Sequence, residues 1–289
     1  MISVVLTALE VEHAAVVEHL SGPLTERTER GLIFDVGTFG RDNAWTVAVA
    51  QVGPGNPGAG ILLERAVTAL RPDVAMFVGI AGGRKDVTHG DVVAADAVYD
   101  YETGRAGDDE YHPRIKTAAP SFALVQRAQA VVRGNRWQDR IRAHSPARRP
   151  RAFVKPIAAG SKVIAGGRST TAAFLTRHCG DALAVDMESY GFLHGAYVNT
   201  GLATLVVRGI SDLLDDRSAP DDEARRLTAA RHAAAFAFAV LDDFTPEAAP
   251  PPHEATYHQS NTADSGGTVY ANQGPGPMII YNTPQGWTR

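Results

Sequence analysis

Only one cysteine, Cys179, occurs among the 289 residues, so the chain can form no internal disulfide. A single thiol fits a reducing compartment, and the expected location is the cytoplasm. Long apolar runs are also missing. No window approaches the roughly 18 consecutive apolar residues that a membrane-spanning helix needs, so no membrane association is expected. The opening Met1-Ile2-Ser3-Val4-Val5-Leu6-Thr7 has no basic flank and meets an acid by Glu10, unlike a secretory signal. No basic excess exists either. Lys and Arg number 28 against 32 Asp and Glu, for a net charge of -4, whereas a nucleic-acid-binding surface calls for the opposite balance. The ten histidines show no metal-ligand spacing, and no metal is expected. Neither Gly-x-Ser-x-Gly nor a Cys–His pairing is present, which argues against covalent acyl transfer. The loop Gly53 to Gly58 lacks the Gly-Lys-Ser/Thr ending of a phosphate loop, and no organic cofactor is expected.

What is present is an ordinary globular composition. The hydrophobic share is 44% and the charged share 21%, enough for one large α/β domain or two smaller ones. Apolar runs read as buried strands at Ile2–Leu6, Trp45–Val52, Val74–Val78, Asp91–Val98, Phe153–Ala158, Ala182–Val185 and Leu202–Val207. Helical patterns follow at Glu10–Leu20 and Ala59–Leu70, and a long Ala-rich helix spans Asp221–Phe244. Near-continuous apolar strands spaced by amphipathic helices predict a three-layer α/β/α fold with a mixed, largely parallel central sheet. Asp100–Pro113 reads as a loop over the sheet. Gly134–Arg151 carries six arginines. It reads as a solvated basic surface loop or, alternatively, as a site for an anionic ligand or partner.

Past residue 244 the composition changes. The expected organisation is a domain over 1–244, a Pro-rich linker over 245–252 and a tail over 253–289. Within the tail, Thr268–Gly274 and Met278–Tyr281 resemble two short strands about a Gly-Pro turn. A lone hairpin is marginal in water, so the tail is expected to dock on the domain, pair with another copy or receive a protein partner by strand addition.

Three acids stand just after strand-like runs: Glu12, Glu188 in Val185-Asp186-Met187-Glu188-Ser189, and Asp212 in Val207-Arg208-Gly209-Ile210-Ser211-Asp212. Strand ends are where open α/β sheets bind ligands. Each acid also has a bland explanation, as a helix-start acid or a turn cap. Gly79-Ile80-Ala81-Gly82-Gly83, at another strand end, lets backbone N–H groups approach a ligand or simply makes a tight turn.

Six motifs occur in one order: Ala8-Leu9-Glu10-Val11-Glu12, Val52-Gly53-Pro54-Gly55-Asn56, Pro72-Asp73-Val74 running into Gly79–Gly83, His89-Gly90-Asp91-Val92-Val93, Val185–Glu188 and Val207–Asp212. Together they resemble the nucleoside phosphorylase and nucleosidase superfamily, and most of all the branch containing methylthioadenosine/S-adenosylhomocysteine nucleosidase. The resemblance covers residues 1 to 244. It implies hydrolysis of the N-glycosidic bond of a purine nucleoside or nucleotide, with adenine as the expected base. Asp212 would then act as the acid at N7 of the leaving base, held by Ser211, and Glu12 would orient the attacking water. Glu188 would grip the ribose hydroxyls with Met187 against the sugar, and Val163 and Ile164 would line the base pocket. Arg208 and the Gly82 backbone would lie near the nucleophile. The family resemblance also implies a homo-oligomer.

Two rivals stand beside this reading. A phosphorylase would use phosphate in place of water, although a carboxylate at Glu12 would repel the dianion. A signalling or defence module would use the tail to recruit a partner. Ile80 replaces a small hydroxyl residue common near the nucleophile, and Val163 an aromatic that often stacks on adenine. Lys162, Arg168, Arg84, Lys85 and Arg105 raise the expectation of a phosphorylated 5′ end.

Overall fold

Alternate residues of one central strand serve two different cores. In the computed structural model, Val74, Met76 and Val78 join one apolar cluster, while Ala75 and Phe77 join a second on the opposite side. The same division holds for Val47 and Val49 against Ala48 and Ala50. A pleated strand points successive side chains to opposite faces, so an unbroken apolar run requires cover on both faces. The structure describes residues 1–108, 111–142, 149–164, 166–214 and 222–246.

The chain runs β1 (Ile2–Thr7), α1 (Glu10–Val17), β2 (Ser21–Glu29), β3 (Leu32–Phe39), β4 (Trp45–Gln51), α2 (Asn56–Leu70) and β5 (Val74–Gly83). Short strands follow: β6 (Val92–Ala94), β7 (Val98–Asp100), β8 (Gly104–Ala106), β9 (Tyr111–Pro113) and β10 (Lys116–Ala118). Then come α3 (Phe122–Gly134), β11 (Ala152–Val154), β12 (Ile157–Ala159), α4 (Thr170–His178), β13 (Ala184–Asp186), α5 (Ser189–Ala196), β14 (Ala203–Leu213) and α6 (Asp222–Asp242). Twelve strands form one sheet along the path β10-β7-β12-β13-β5-β1-β4-β3-β2, with β14 pairing both β5 and β6, and β6 pairing β11. Its centre, β4-β1-β5-β14, is parallel. Antiparallel pairing enters at β13 on β5 and at the β2–β3–β4 edge. Helices α1, α3 and α6 pack on one face and α2 and α5 on the other, the expected three-layer arrangement.

Several elements differ from the sequence expectations. The strand expected over Asp91–Val98 is two strands, β6 and β7, and Phe153–Ala158 likewise divides into β11 and β12. Pro156 stands in the second gap and has no N–H to give a ladder. Helix α2 begins at Asn56, three residues before its apolar pattern, with Pro57 tolerated in the first turn. Asp100–Pro113 contains the β8–β9 hairpin rather than loop alone. The expected tail strands lie outside the described residues. By internal contacts the chain divides into Met1–Pro246 and Glu247–Arg289. No helix among the described residues is long and apolar enough to cross a membrane.

Candidate active site

The parallel centre of the sheet delivers several chain segments to one edge. Strands β1, β5 and β14 run alongside each other, so the residues after β1 and the last residues of β5 and β14 meet. There they line a cavity of about 300 Å³, at the small end of small-molecule sites. Glu12, Glu188 and Asp212 all line it, as do Gly82, Val163, Ile164, Met187 and Ser211. Arg208 does not.

Glu12 is aimed by its own helix. It sits at the third position of α1, from which a carboxylate reaches back to the unsatisfied N–H groups at the helix start. Its Oε2 accepts from Ala8 N at 2.7 Å and Leu9 N at 2.9 Å. Its Oε1 accepts from Ile80 N at 2.8 Å, which ties α1 to β5. The helix-start explanation of Glu12 is therefore true, and the same bonds direct the carboxylate into the cavity. Burial raises its pKa, against the opposing pull of Arg208 and those N–H donors.

Glu188 stands at the start of α5 but makes no capping bond to it. Asp186 takes that role, its Oδ1 accepting from Ser189 N at 3.3 Å. Glu188 Oε1 instead accepts from Gly55 N at 3.1 Å. Gly55 has φ +112, a backbone conformation that side chains strongly resist. Gly53, Gly55 and Gly58 fall at dinucleotide-fingerprint spacing, the first two in the turn after β4 and the third in the first turn of α2. Here that loop spends its Gly55 N–H on a carboxylate of the protein. Asn56 fixes the junction further: its Oδ1 accepts from Gly191 N at 2.8 Å and its Nδ2 donates to the Gly160 carbonyl at 3.3 Å.

Beneath the carboxylates lies Arg208, fully buried in β14. Its Nε donates to Asp186 Oδ2 at 2.7 Å and its Nη2 stands 3.4 Å from Glu188 Oε2. The guanidinium lies over the Phe77 ring at 4.5 Å. Asp186, Glu188 and Glu12 all raise its pKa against the effect of burial. Burial in turn is the largest influence on Glu188, raised to about 7 with Asp186 and Glu12 adding to the rise and Arg208 opposing it. One cation facing several buried acids cannot neutralise them all, so a proton shared near neutral pH is the physical consequence.

Asp212 follows an irregularity. The β14–β5 register slips between Ile210 and Asp212, leaving Ser211 as an extra residue. Such bulges re-aim side chains beside functional sites. Both Ser211 and Asp212 line the cavity, and Ser211 Oγ donates to Asp212 Oδ1 at 2.7 Å. The base-lining candidates divide: Ile164 is buried, whereas Val163 is 67% exposed.

Among the proposed phosphate-recognising cations, only Lys162 lines the cavity; it pairs with Glu102 at 3.3 Å. Arg84 is turned to the carbonyls of Cys179 and Ala182, at 2.7 Å each. Lys85, Arg105 and Arg168 are also absent from the lining. Arg226 from α6 lines it and was not anticipated. Asp186, Phe77, Gly55 and Asn56 were missed as well. Asp186 carried a signal as the acid two residues before Glu188, and Gly55 and Asn56 as members of the Val52–Asn56 motif, whereas Phe77 carried none beyond its apolar strand. No group of three or more His, Cys, Asp or Glu arranged to hold a metal occurs among the described residues.

A family model described as the phosphorylase superfamily matches residues 3–246. The chain belongs to the phosphorylase superfamily. A 5′-methylthioadenosine/S-adenosylhomocysteine nucleosidase from S. pneumoniae, solved with a transition-state inhibitor, has a similar fold. Its TM-score is 0.67 at 20% identity, covering 84% of this chain and 99% of that one. The native futalosine hydrolase of Helicobacter pylori gives 0.69 at 18% identity, covering 84% and 98%. An uncharacterized protein, y4jS, of Sinorhizobium fredii is 24% identical over 188 residues. That match takes in 61% of this chain but only 45% of the relative, so the chain spans under half of y4jS.

Proposed function

We propose that this member of the phosphorylase superfamily hydrolyses the N-glycosidic bond of a purine nucleoside or nucleotide, with adenine as the favoured base. The observation that carries the reading is the single cavity onto which Glu12, Glu188 and Asp212 all open. Breaking the bond builds positive charge on the sugar and negative charge on the base. Asp212, oriented by Ser211, hands a proton to N7 of the leaving purine, help worth ~10² to 10⁴ in rate. Glu188 accepts from the ribose hydroxyls and offsets the sugar cation, with Met187 against the sugar. Glu12 receives a proton from the attacking water, which the Gly82 backbone helps to place. Arg208 acts from below by holding Asp186 and Glu188. Val163 and Ile164 border the base.

The similar folds of proteins named as nucleosidases and as a hydrolase support water as the nucleophile. A phosphorylase would bring a dianion against the Glu12 carboxylate. The proposal extends to a homo-oligomer and to a protein partner for residues 253–289, tested by light scattering of the full chain and of a chain ending at residue 246.

The experiment is incubation with a panel of nucleosides and nucleotides, with and without phosphate, reading free base by chromatography. Phosphate-independent release of purine supports the reading. Release that requires phosphate replaces hydrolysis with phosphorolysis.

A further inference from the structure

A second cavity, of about 560 Å³, shares no lining residue with the first. Its walls include His19 from beyond the end of α1, Arg41 from the turn after β3, Arg140 and Arg142 from the segment after α3, and Asp242 and Asp243 from the end of α6. Arg140 and Asp242 pair with each other. Arg41 and Arg142 make no ion pair or side-chain hydrogen bond among the described residues. Elsewhere in the basic run Arg151 pairs with Asp91 at 3.0 Å and Arg149 donates to Gln138 Oε1 at 3.4 Å, whereas Arg136 makes no ion pair among the described residues and lies off this lining. The cavity therefore brings together two arginines without a partner among the described residues, Arg142 from this run and Arg41 from another segment.

His19 supplies the second observation. It is 4% exposed, its ring is stacked on Phe238 at 4.8 Å, and neither ring nitrogen is hydrogen-bonded among the described residues. The ring lines the cavity and its nitrogens are not sealed from solvent, so a molecule held there can reach them. Burial, then Arg142 and Arg140, push its pKa down to about 4. The ring is thus neutral at pH 7, with one N–H to donate.

We propose that this cavity is a binding site for hydrogen phosphate, free or carried on a small molecule, separate from the catalytic cavity. Guanidinium groups of Arg41 and Arg142 take phosphate oxygens, and the His19 N–H takes a further one. A tetrahedral oxyanion offers acceptors toward donors arriving from three separate segments, and arginine forks suit it. Asp243, the acid on this lining not paired with Arg140, accepts the O–H that hydrogen phosphate retains near neutral pH and sulfate lacks. This inference does not depend on the proposed glycosidase reading.

The test is titration of the full-length, ¹⁵N-histidine-labelled protein with inorganic phosphate at constant ionic strength. The His19 ring signals are followed beside calorimetry, with sulfate as comparison. Saturable movement of the His19 signals is expected, with sulfate binding more weakly. Arg41→Ala and Arg142→Ala should each weaken phosphate by about tenfold or more. Both residues are exposed, so circular dichroism and base release should be unchanged. Phosphate binding that leaves the His19 signals still, or that survives unchanged in the double variant, would overturn the proposal.

Discussion

Arg208 and Glu188 meet beneath the cavity floor, with Nη2 3.4 Å from Oε2, while the same guanidinium holds Asp186 through Nε at 2.7 Å. Both partners are buried, Arg208 at 0% exposure and Glu188 at 6%, with only Glu188 reaching the cavity. Removing one partner of a buried ion pair strands the other and costs roughly 3–5 kcal/mol. Arg208→Met should lower unfolding stability by about that amount in urea titrations. A loss below about 1 kcal/mol, the usual worth of a surface pair, would mean that the acids have another countercharge.

Glu188 predicts opposite pH trends for stability and binding. Its folded pKa, about 7, lies above the ordinary value of 4.5. An acid whose pKa rises on folding holds its proton more tightly in the native state. Its contribution to stability is complete below the ordinary value and is lost as pH rises through about 7. Thermal midpoints should fall across that window and flatten in Glu188→Gln. Substrate KM should fall over the same window, because ionised Glu188 accepts from both ribose hydroxyls. A KM insensitive to pH there would remove Glu188 from the sugar.

His19 predicts acid sensitivity of the reverse sign. Its folded pKa is pushed down to about 4 from 6.5, first by burial and then by Arg142 and Arg140. That stability is present above 6.5 and lost as pH falls through the folded value. His19→Phe should reduce the loss of thermal midpoint between pH 6.5 and 4. An unchanged acid limb would show that other groups govern it.

Gly79 is set between two site residues. A Cβ there would lie 2.4 Å from Arg208 Nη1 and 2.5 Å from Glu12 Oε1. Gly79→Ala should cost about 1–3 kcal/mol as an overpacking change and lower base release beyond the stability loss. Gly134→Ala is the control, since an added methyl there meets nothing within 4 Å. Equal behaviour of the two variants would show that Arg208 and Glu12 can move apart freely.

The parallel centre of the fold was legible because Val74–Val78 and Leu202–Val207 are apolar on both faces. The β2–β3 hairpin was not, because β2 is exposed along nearly its whole length and carries no apolar alternation. Its turn, Arg30-Gly31, has positive φ at both positions, and arginine is an unusual occupant of such a turn. Helix α5 was hidden by Gly191 and Gly195, which lower helical propensity but let α2 approach closely. Glu12, Glu188 and Asp212 could be picked out because each follows an apolar run. The support under them could not. Asp186 and Arg208 belong to strands that flank β5 on opposite sides, a proximity that exists only once the sheet has formed.

The most direct test compares purine release by the wild-type chain, Asp212→Asn and Glu12→Gln, with and without phosphate. The account predicts phosphate-independent release by the wild type, falling by ~10² to 10⁴ in each variant while the fold is retained. Undiminished release in both variants, or release only when phosphate is added, would contradict it.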